Sequence, residues 1–194
     1  MSITSIRVEH LLRIVAAMGV AAVSSGVVPV AAQSRLDIAV YQDEQLVYPA
    51  DAARWIVMGA NLGGDYNELV FDANNPGSIG IVQMEPAAYD YLQANGRYAD
   101  GTMLLLTRYV STRKSEPQLQ GFVQDNLLFK EIHVIDRERF AEGRAFFVYA
   151  DPAVDRVAAV PPGSECVQCH EAHGAFNGTF TQFYPTSPAH ALHD

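Results

Sequence analysis

From Trp55 to Ala150 the chain is a series of short apolar runs separated by polar breaks, and the runs are short enough for strands. Trp55-Ile56-Val57-Met58-Gly59 predicts a buried strand closed by a Gly63-Gly64-Asp65 turn. Ile79-Gly80-Ile81-Val82 predicts a second, with Asp72 to Gly77 as a surface loop between them. Glu85 to Asn95 predicts a helix: Pro86 suits the first turn, Gly96 suits the C-terminal cap, and Ala88, Tyr91 and Leu92 share a face. Met103 to Val110, Leu119 to Val123, Leu127 to Asp136 and Arg144 to Ala150 read as further strands. A polar hairpin-like segment surrounds Ser115-Glu116-Pro117, and Arg137 to Gly143 is a short helix or turn. Val40 to Tyr48 reads as too polar for a core strand, so residues 33–48 are an N-terminal lead-in, and Pro49-Ala50-Asp51 is a turn or helix start. The expected fold is α+β: one domain over 49–194, mainly antiparallel β-sheet with a few packed helices.

Residues 1–32 stand apart. Arg7 and Arg13 precede an apolar, small-residue run from Ile14 to Val30 that ends in Val30-Ala31-Ala32, the layout of a secretory signal peptide cleaved before Gln33. An uncleaved anchor is the alternative, but Ser24, Ser25, Gly26 and Pro29 interrupt the run, and a spanning helix takes roughly 20 continuous apolar residues. The expectation is a periplasmic or secreted protein. The 194 residues are 49% hydrophobic, ample for a packed core, and carry a formal net charge of −9. Losing the leader removes two arginines and one glutamate, so the rest stays acidic. An acidic surface with no basic cluster larger than Arg113-Lys114 repels phosphate backbones, which argues against a nucleic-acid partner.

After a Pro161-Pro162-Gly163 break comes the chemistry. The only two cysteines lie in Cys166-Val167-Gln168-Cys169-His170, the C-x-x-C-H spacing of a haem c attachment motif. Two intervening residues put both thiols within reach of the two vinyl groups of a protoporphyrin, and His170 is placed beneath the iron as proximal ligand. Other readings compete. A redox disulfide of the thioredoxin type belongs at the start of a helix early in a βαβ unit, not near the end of a chain with no such pattern. A zinc site from Cys166, Cys169, His170 and His173 would take all four ligands from eight consecutive residues, which is cramped for a tetrahedron. The expected cofactor is one covalent haem c per chain.

Several stretches occur in an order that resembles the cytochrome P460 and cytochrome c′-beta family: Trp55 to Leu62 with Gly63 and Tyr66, Glu85-Pro86-Ala87-Ala88-Tyr89 leading to Gly96-Arg97-Tyr98-Ala99-Asp100-Gly101-Thr102, Glu131 to Asp136, Cys166 to His170, and Phe180 to Pro185. The resemblance implies a β-sheet fold with packing helices, a haem that is five-coordinate in many members, a frequent homodimer, and two branches. One branch carries a lysine-porphyrin cross-link and oxidises hydroxylamine, with a distal acid handling protons. The other lacks the cross-link, has an apolar distal pocket, and binds nitric oxide or carbon monoxide. The chain has two lysines, Lys114 and Lys130; neither matches the cross-linking position, which the resemblance places nearer Asp100 to Met103.

An open sixth position binds a gas or substrate; a methionine or histidine there makes an electron carrier. Met58, Met84 and Met103 all sit in apolar stretches, where filling core space is the commoner role. Met103 is the preferred sixth-ligand candidate because the resemblance puts a pocket-lining residue there. His133 shares a strand face with Phe129, Glu131 and Ile135 and is a second route into the pocket, against the commoner half-exposed strand histidine. His173 is too close to His170 to cross to the other face, and His190 and His193 belong to the tail. Glu131 is the candidate catalytic acid or base, since burial in a haem pocket would raise its pKa; the competing reading is a surface charge on an edge strand. Arg97 and Arg144 are candidates for haem propionates, with surface ion pairs as the alternative. The function expected is a mono-haem c cytochrome that binds a small diatomic or nitrogenous ligand, or passes electrons to a redox partner protein. The alternative is a P460-type oxidoreductase acting on hydroxylamine or a related nitrogen compound.

Overall fold

A computed structural model describes residues 35–63 and 76–188. The leader, the Gly64-Asp65 half of the first turn, Tyr66, the loop from Asp72 to Asn75, and His190 and His193 lie outside the described residues. The described residues belong to one compact unit, Ala32–Asp194. In chain order it comprises β1 (Tyr41–Gln42), β2 (Gln45–Val47), β3 (Ile56–Leu62), β4 (Ile79–Met84), α1 (Pro86–Asn95), β5 (Thr102–Glu116), β6 (Leu119–Ile135), β7 (Arg144–Tyr149), β8 (Arg156–Val157) and α2 (Glu165–His173). Strands β3 to β7 form a five-stranded sheet in sequence order with every neighbour antiparallel, and β1, β2 and β8 make a small second sheet. This is the expected α+β fold. No helix among the described residues is long and apolar enough to cross a membrane.

Helix α1 forms where its caps dictate. The Glu85 carboxylate accepts from the Ala88 N–H at 2.8 Å, Pro86 fills the first turn, and Gly96 closes the helix in the left-handed region (φ 61°), donating its N–H to Leu92 O at 2.8 Å. Ala88 and Leu92 are buried under it, beside Met58, Met84, Tyr98, Leu104, Ile135 and Tyr184 on one face of the large sheet. The other face carries Met103, Leu105, Ile132, Val134, Phe147 and Tyr149, packed on Trp55, Ala52 and Leu46. Successive side chains of a strand point to opposite faces, so β5 and β6 each feed both cores.

The lead-in departs from the sequence expectation. Leu46, in the middle of β2, is fully buried, and its carbonyl accepts from the Tyr149 hydroxyl at 2.7 Å. Arg35 makes two 2.9 Å hydrogen bonds to the Asp136 carboxylate, and Leu36 N–H donates to Asp100 O at 2.7 Å. Gly101 permits this approach: its φ is 84°, and a Cβ there would lie 2.0 Å from Leu36 O. A three-residue strand with one buried side chain has no periodicity to read, which is why the segment looked too polar. The polar segment around Ser115 is a hairpin, as expected, but on longer strands: β5 runs on to Glu116, and Leu119 to Val123 and Leu127 to Asp136 are parts of one strand, β6. The segment is the tip of these strands, which pair with one another from Ser111↔Gln124 to Glu116↔Leu119, beyond the reach of β4 and β7. Solvated on both sides, that ribbon needs no alternation of apolar residues.

If Leu46 belongs to the core, Leu46→Ala lowers unfolding free energy by about 2–5 kcal/mol, the usual loss for a buried leucine. Denaturant unfolding measures it; a change under about 0.5 kcal/mol, typical of a surface site, would show that β2 does not support the domain.

Candidate functional site

The cavity of about 860 Å3 between the large sheet and the C-terminal segment lies on the α1 side of the sheet. That is within the roughly 300–1,000 Å3 of cofactor and ligand sites. Its floor is a set of alternate positions: Leu104, Leu106 and Arg108 from β5, with His133 and Glu131 of β6 opposite the first two, and Val82 of β4 and Asn61 of β3 beyond. Its roof is α2 and the residues after it.

Helix α2 starts at Ser164, whose hydroxyl accepts from Val167 N–H, after the turn at Pro161-Pro162-Gly163. Spacings of three, four and seven residues place Cys166, Cys169, His170 and His173 along one face of the helix. The cysteines are free thiols, partly buried. Among the described residues no three His, Cys, Asp or Glu side chains gather as a metal-binding group, which takes support from the zinc reading. After α2 the backbone folds back: Gly174 N–H donates to His170 O, Ala175 N–H to Thr179 O, and Asn177 and Gly178 both adopt positive φ (55° and 69°). The turn aims the Gly178 carbonyl at His170 Nδ1, 2.6 Å away. A carbonyl can only accept, so Nδ1 carries the proton and Nε2 keeps its lone pair. Burial lowers the His170 pKa against the upward pull of the Gly178 hydrogen bond, and the Arg144 charge lowers it further, which favours the neutral ring. His170 is packed by Phe146 and Phe180 at ring-centroid distances of 4.5 and 4.6 Å. Beneath the turn, the Tyr98 hydroxyl reaches Thr179 and Thr181 (3.4 and 3.5 Å), tying the loop to the core.

Opposite His170 Nε2, at 3.8 Å, is Glu131 Oε1. Glu131 is buried, and its Oε2 has no hydrogen-bond partner among the described residues. Burial pushes its pKa up to about 7, against the downward pull of the Arg108 charge and a Cys166 hydrogen bond. Arg108 is itself buried and donates to Asn61 Oδ1 at 3.0 Å; Asn61 Nδ2 donates to the Tyr184 hydroxyl at 3.3 Å. His133 is buried at the cavity wall, with its ring 4.4 Å from Phe146 and 5.5 Å from His170. Burial and the His170 and Arg144 charges lower its pKa well below the ordinary value, and its Nε2 has no partner among the described residues. The pocket reading of both Glu131 and His133 therefore describes their positions, and the surface readings do not.

Three sequence candidates lie elsewhere. Met103 is a correction: it is 1% exposed on the opposite face of the sheet, packed with Leu105, Val134 and Trp55, because Leu104 and Leu106 take the cavity side and alternation sends their neighbours away. It cannot be the sixth ligand. Arg97 is exposed after α1, its guanidinium 5.9 Å above the Tyr91 ring, outside the cavity. Arg144 lies behind His170, with Nη2 3.6 Å from the Glu171 carboxylate. Neither lysine lines the cavity: Lys114 is on the ribbon, and Lys130 stands 4.5 Å over the Tyr48 ring, its backbone position alternating with Glu131. Sequence reasoning missed Arg108, Asn61 and Tyr184. A period-two reading of Met103 to Val110 would have exposed Arg108, the one charge in that run, as a neighbour of Leu104 and Leu106.

The Glu131 shift has a sign that can be checked. The folded protein holds a proton there between its ordinary 4.5 and about 7, so this contribution to stability is full below 4.5 and lost as pH rises through 7. The difference corresponds to roughly 3 kcal/mol. Glu131→Gln, unable to ionise, raises the thermal midpoint above wild type at pH 8, and the gap closes toward pH 4.5. A gap that does not change with pH would mean that Glu131 is not buried as described.

A haem fits the chemistry of this donor set: a neutral imidazole oriented through Nδ1, two free thiols on the same helix face, and a large cavity beyond them with unpartnered polar atoms in its wall. Cys166 and Cys169 would hold such a group and His170 would ligate it. No curated protein matches the chain. The cytochrome P460 family model matches residues 49–181, well over half of the chain and the stretch that builds both the sheet and the cavity. The chain belongs to the cytochrome P460 family, and the cofactor that membership implies is haem c.

Proposed function

We propose that the chain is an exported mono-haem c cytochrome that takes a small ligand, a diatomic such as nitric oxide or a small nitrogen compound, at an open sixth position. The observation that carries this reading is the cavity facing His170 Nε2. Met58, Met84 and Met103, the methionines beyond the leader, all pack in the two cores and none lines it. With no methionine there, coordination by an outside ligand is favoured over methionine ligation, and His133 in the cavity wall is left as an internal alternative. Bound haem supplies the one-electron and ligand-binding chemistry; the protein supplies a proximal imidazole and a distal wall. The absence of lysine from the cavity supports the branch without a porphyrin cross-link. Residues 1–32 support export to the periplasm, and a redox partner protein and a homodimer belong to the same reading.

One observation favours the second reading, an oxidoreductase acting on hydroxylamine or a related nitrogen compound. The wall is not purely apolar: Glu131, Arg108, Asn61 and Tyr184 form a polar group on it. A carboxylate with pKa of about 7 is suited to accept and return a proton at neutral pH.

Carbon monoxide titration of the dithionite-reduced protein tests the first reading. It predicts a saturating spectral change at one ligand per haem, unaltered in Met103→Leu. A sharp low-spin spectrum that carbon monoxide does not disturb would contradict it. Steady reduction of an artificial acceptor by hydroxylamine, lost at least about 100-fold in Glu131→Gln as for removal of a general base, would establish the second.

A further inference from the structure

We propose that Arg144 is a positioning residue that sets how strongly His170 donates to iron, acting from behind the imidazole through the Gly178 carbonyl. The inference rests on the haem reading above and deepens it. The hydrogen bond from His170 Nδ1 to Gly178 O is short, 2.6 Å, and buried. An acceptor on that nitrogen makes the ring a stronger donor through Nε2. Alone, it would favour the ferric state.

Arg144 opposes it. It is the first residue of β7, and its side chain lies across Gly178: a Cβ at that glycine would meet Arg144 Nε at 2.9 Å and Cζ at 3.2 Å. With any other residue the guanidinium would have to shift, and the φ of 69° suits glycine. The guanidinium thus rests on the same peptide that accepts from His170. Its charge is poorly compensated. The side chain is 19% exposed, the nearest carboxylate is Glu171 at 3.6 Å on a half-exposed side chain, and Nη1 donates to the Glu142 carbonyl at 3.5 Å. The Nε atom is buried with no partner among the described residues.

A fixed positive charge behind the imidazole draws on the Gly178 carbonyl, weakens the push from His170, and favours the ferrous state. The short hydrogen bond and the guanidinium are counterweights. This role differs from pairing with a propionate, which would also favour the ferrous state but would leave the iron–histidine bond alone.

The test compares wild type with Arg144→Met, Arg144→Lys and Glu171→Gln, each with its haem content checked by intact mass. Redox titration and the ferrous iron–histidine stretching vibration are the readouts. Arg144→Met moves the ferric-to-ferrous ratio about tenfold toward ferric at fixed potential, about 59 mV downward, and raises the stretching frequency. Arg144→Lys restores most of both. Glu171→Gln, which strips the guanidinium of its nearest counter-charge, shifts both the other way. Unchanged potential and frequency in haem-loaded Arg144→Met overturn the inference. So does a lowered potential with an unmoved frequency, the mark of a propionate contact. Should Arg144→Met not accumulate, Glu171→Gln decides alone: no upward shift overturns the inference. Wild-type protein without haem would instead overturn the haem reading on which it rests.

Discussion

The alternation of side chains along β5 and β6 is the constraint on which the rest depends. Each strand is committed residue by residue to one of two faces, and the pairing Leu104↔His133, Leu106↔Glu131 and Arg108↔Phe129 sends one set toward α2 and the other toward β2. A slip of one residue would exchange the faces, placing Met103 and Leu105 in the cavity and burying Glu131 and Arg108 against Leu46 and Trp55. Both faces are apolar enough to pack, so hydrophobicity alone does not choose between them. The polar residues do: Glu131, His133 and Arg108 tolerate burial only where a cavity and one another's charges accept them. The register that satisfies the core is therefore also the register that builds a site.

Onto this floor the C-terminal segment is placed by backbone geometry. The Ser164 cap starts α2, Gly174 ends it, and two successive left-handed residues, Asn177 and Gly178, return a carbonyl to His170 Nδ1. Tyr98, fully buried, carries that turn back to the core after α1 through Thr179 and Thr181. The His170 imidazole is thus fixed by an element far from it in sequence. The same turn gives Arg144 its seat, so orientation of the ring and the charge behind it are consequences of one loop conformation.

How much of this could be read beforehand followed how local each signal was. Helix α1 was legible because its cap, its proline and its terminal glycine lie within twelve residues. The Cys166 to His170 motif was legible as a local pattern of five residues, and α2 sets its side chains along one helix face. Met103 was misplaced because a family order of segments says where a pocket residue occurs along the chain but not which face of a strand it occupies. Leu46 was hidden because one buried side chain in a three-residue strand has no period. Arg108 was hidden inside an apolar run, and its value comes from Asn61, 47 residues earlier. Gly178 could not be found by side-chain reasoning, since it works through its carbonyl and through the absence of a Cβ.

The central claim is that this fold presents His170, Cys166 and Cys169 to a covalently held haem. Its most direct test is the intact mass of the purified exported protein, taken after denaturation in reductant. The account predicts the mass of the chain after leader removal plus one haem, with no thiol left free to alkylate. A chain of apoprotein mass with two alkylatable cysteines, from cells competent to attach haem, would contradict it.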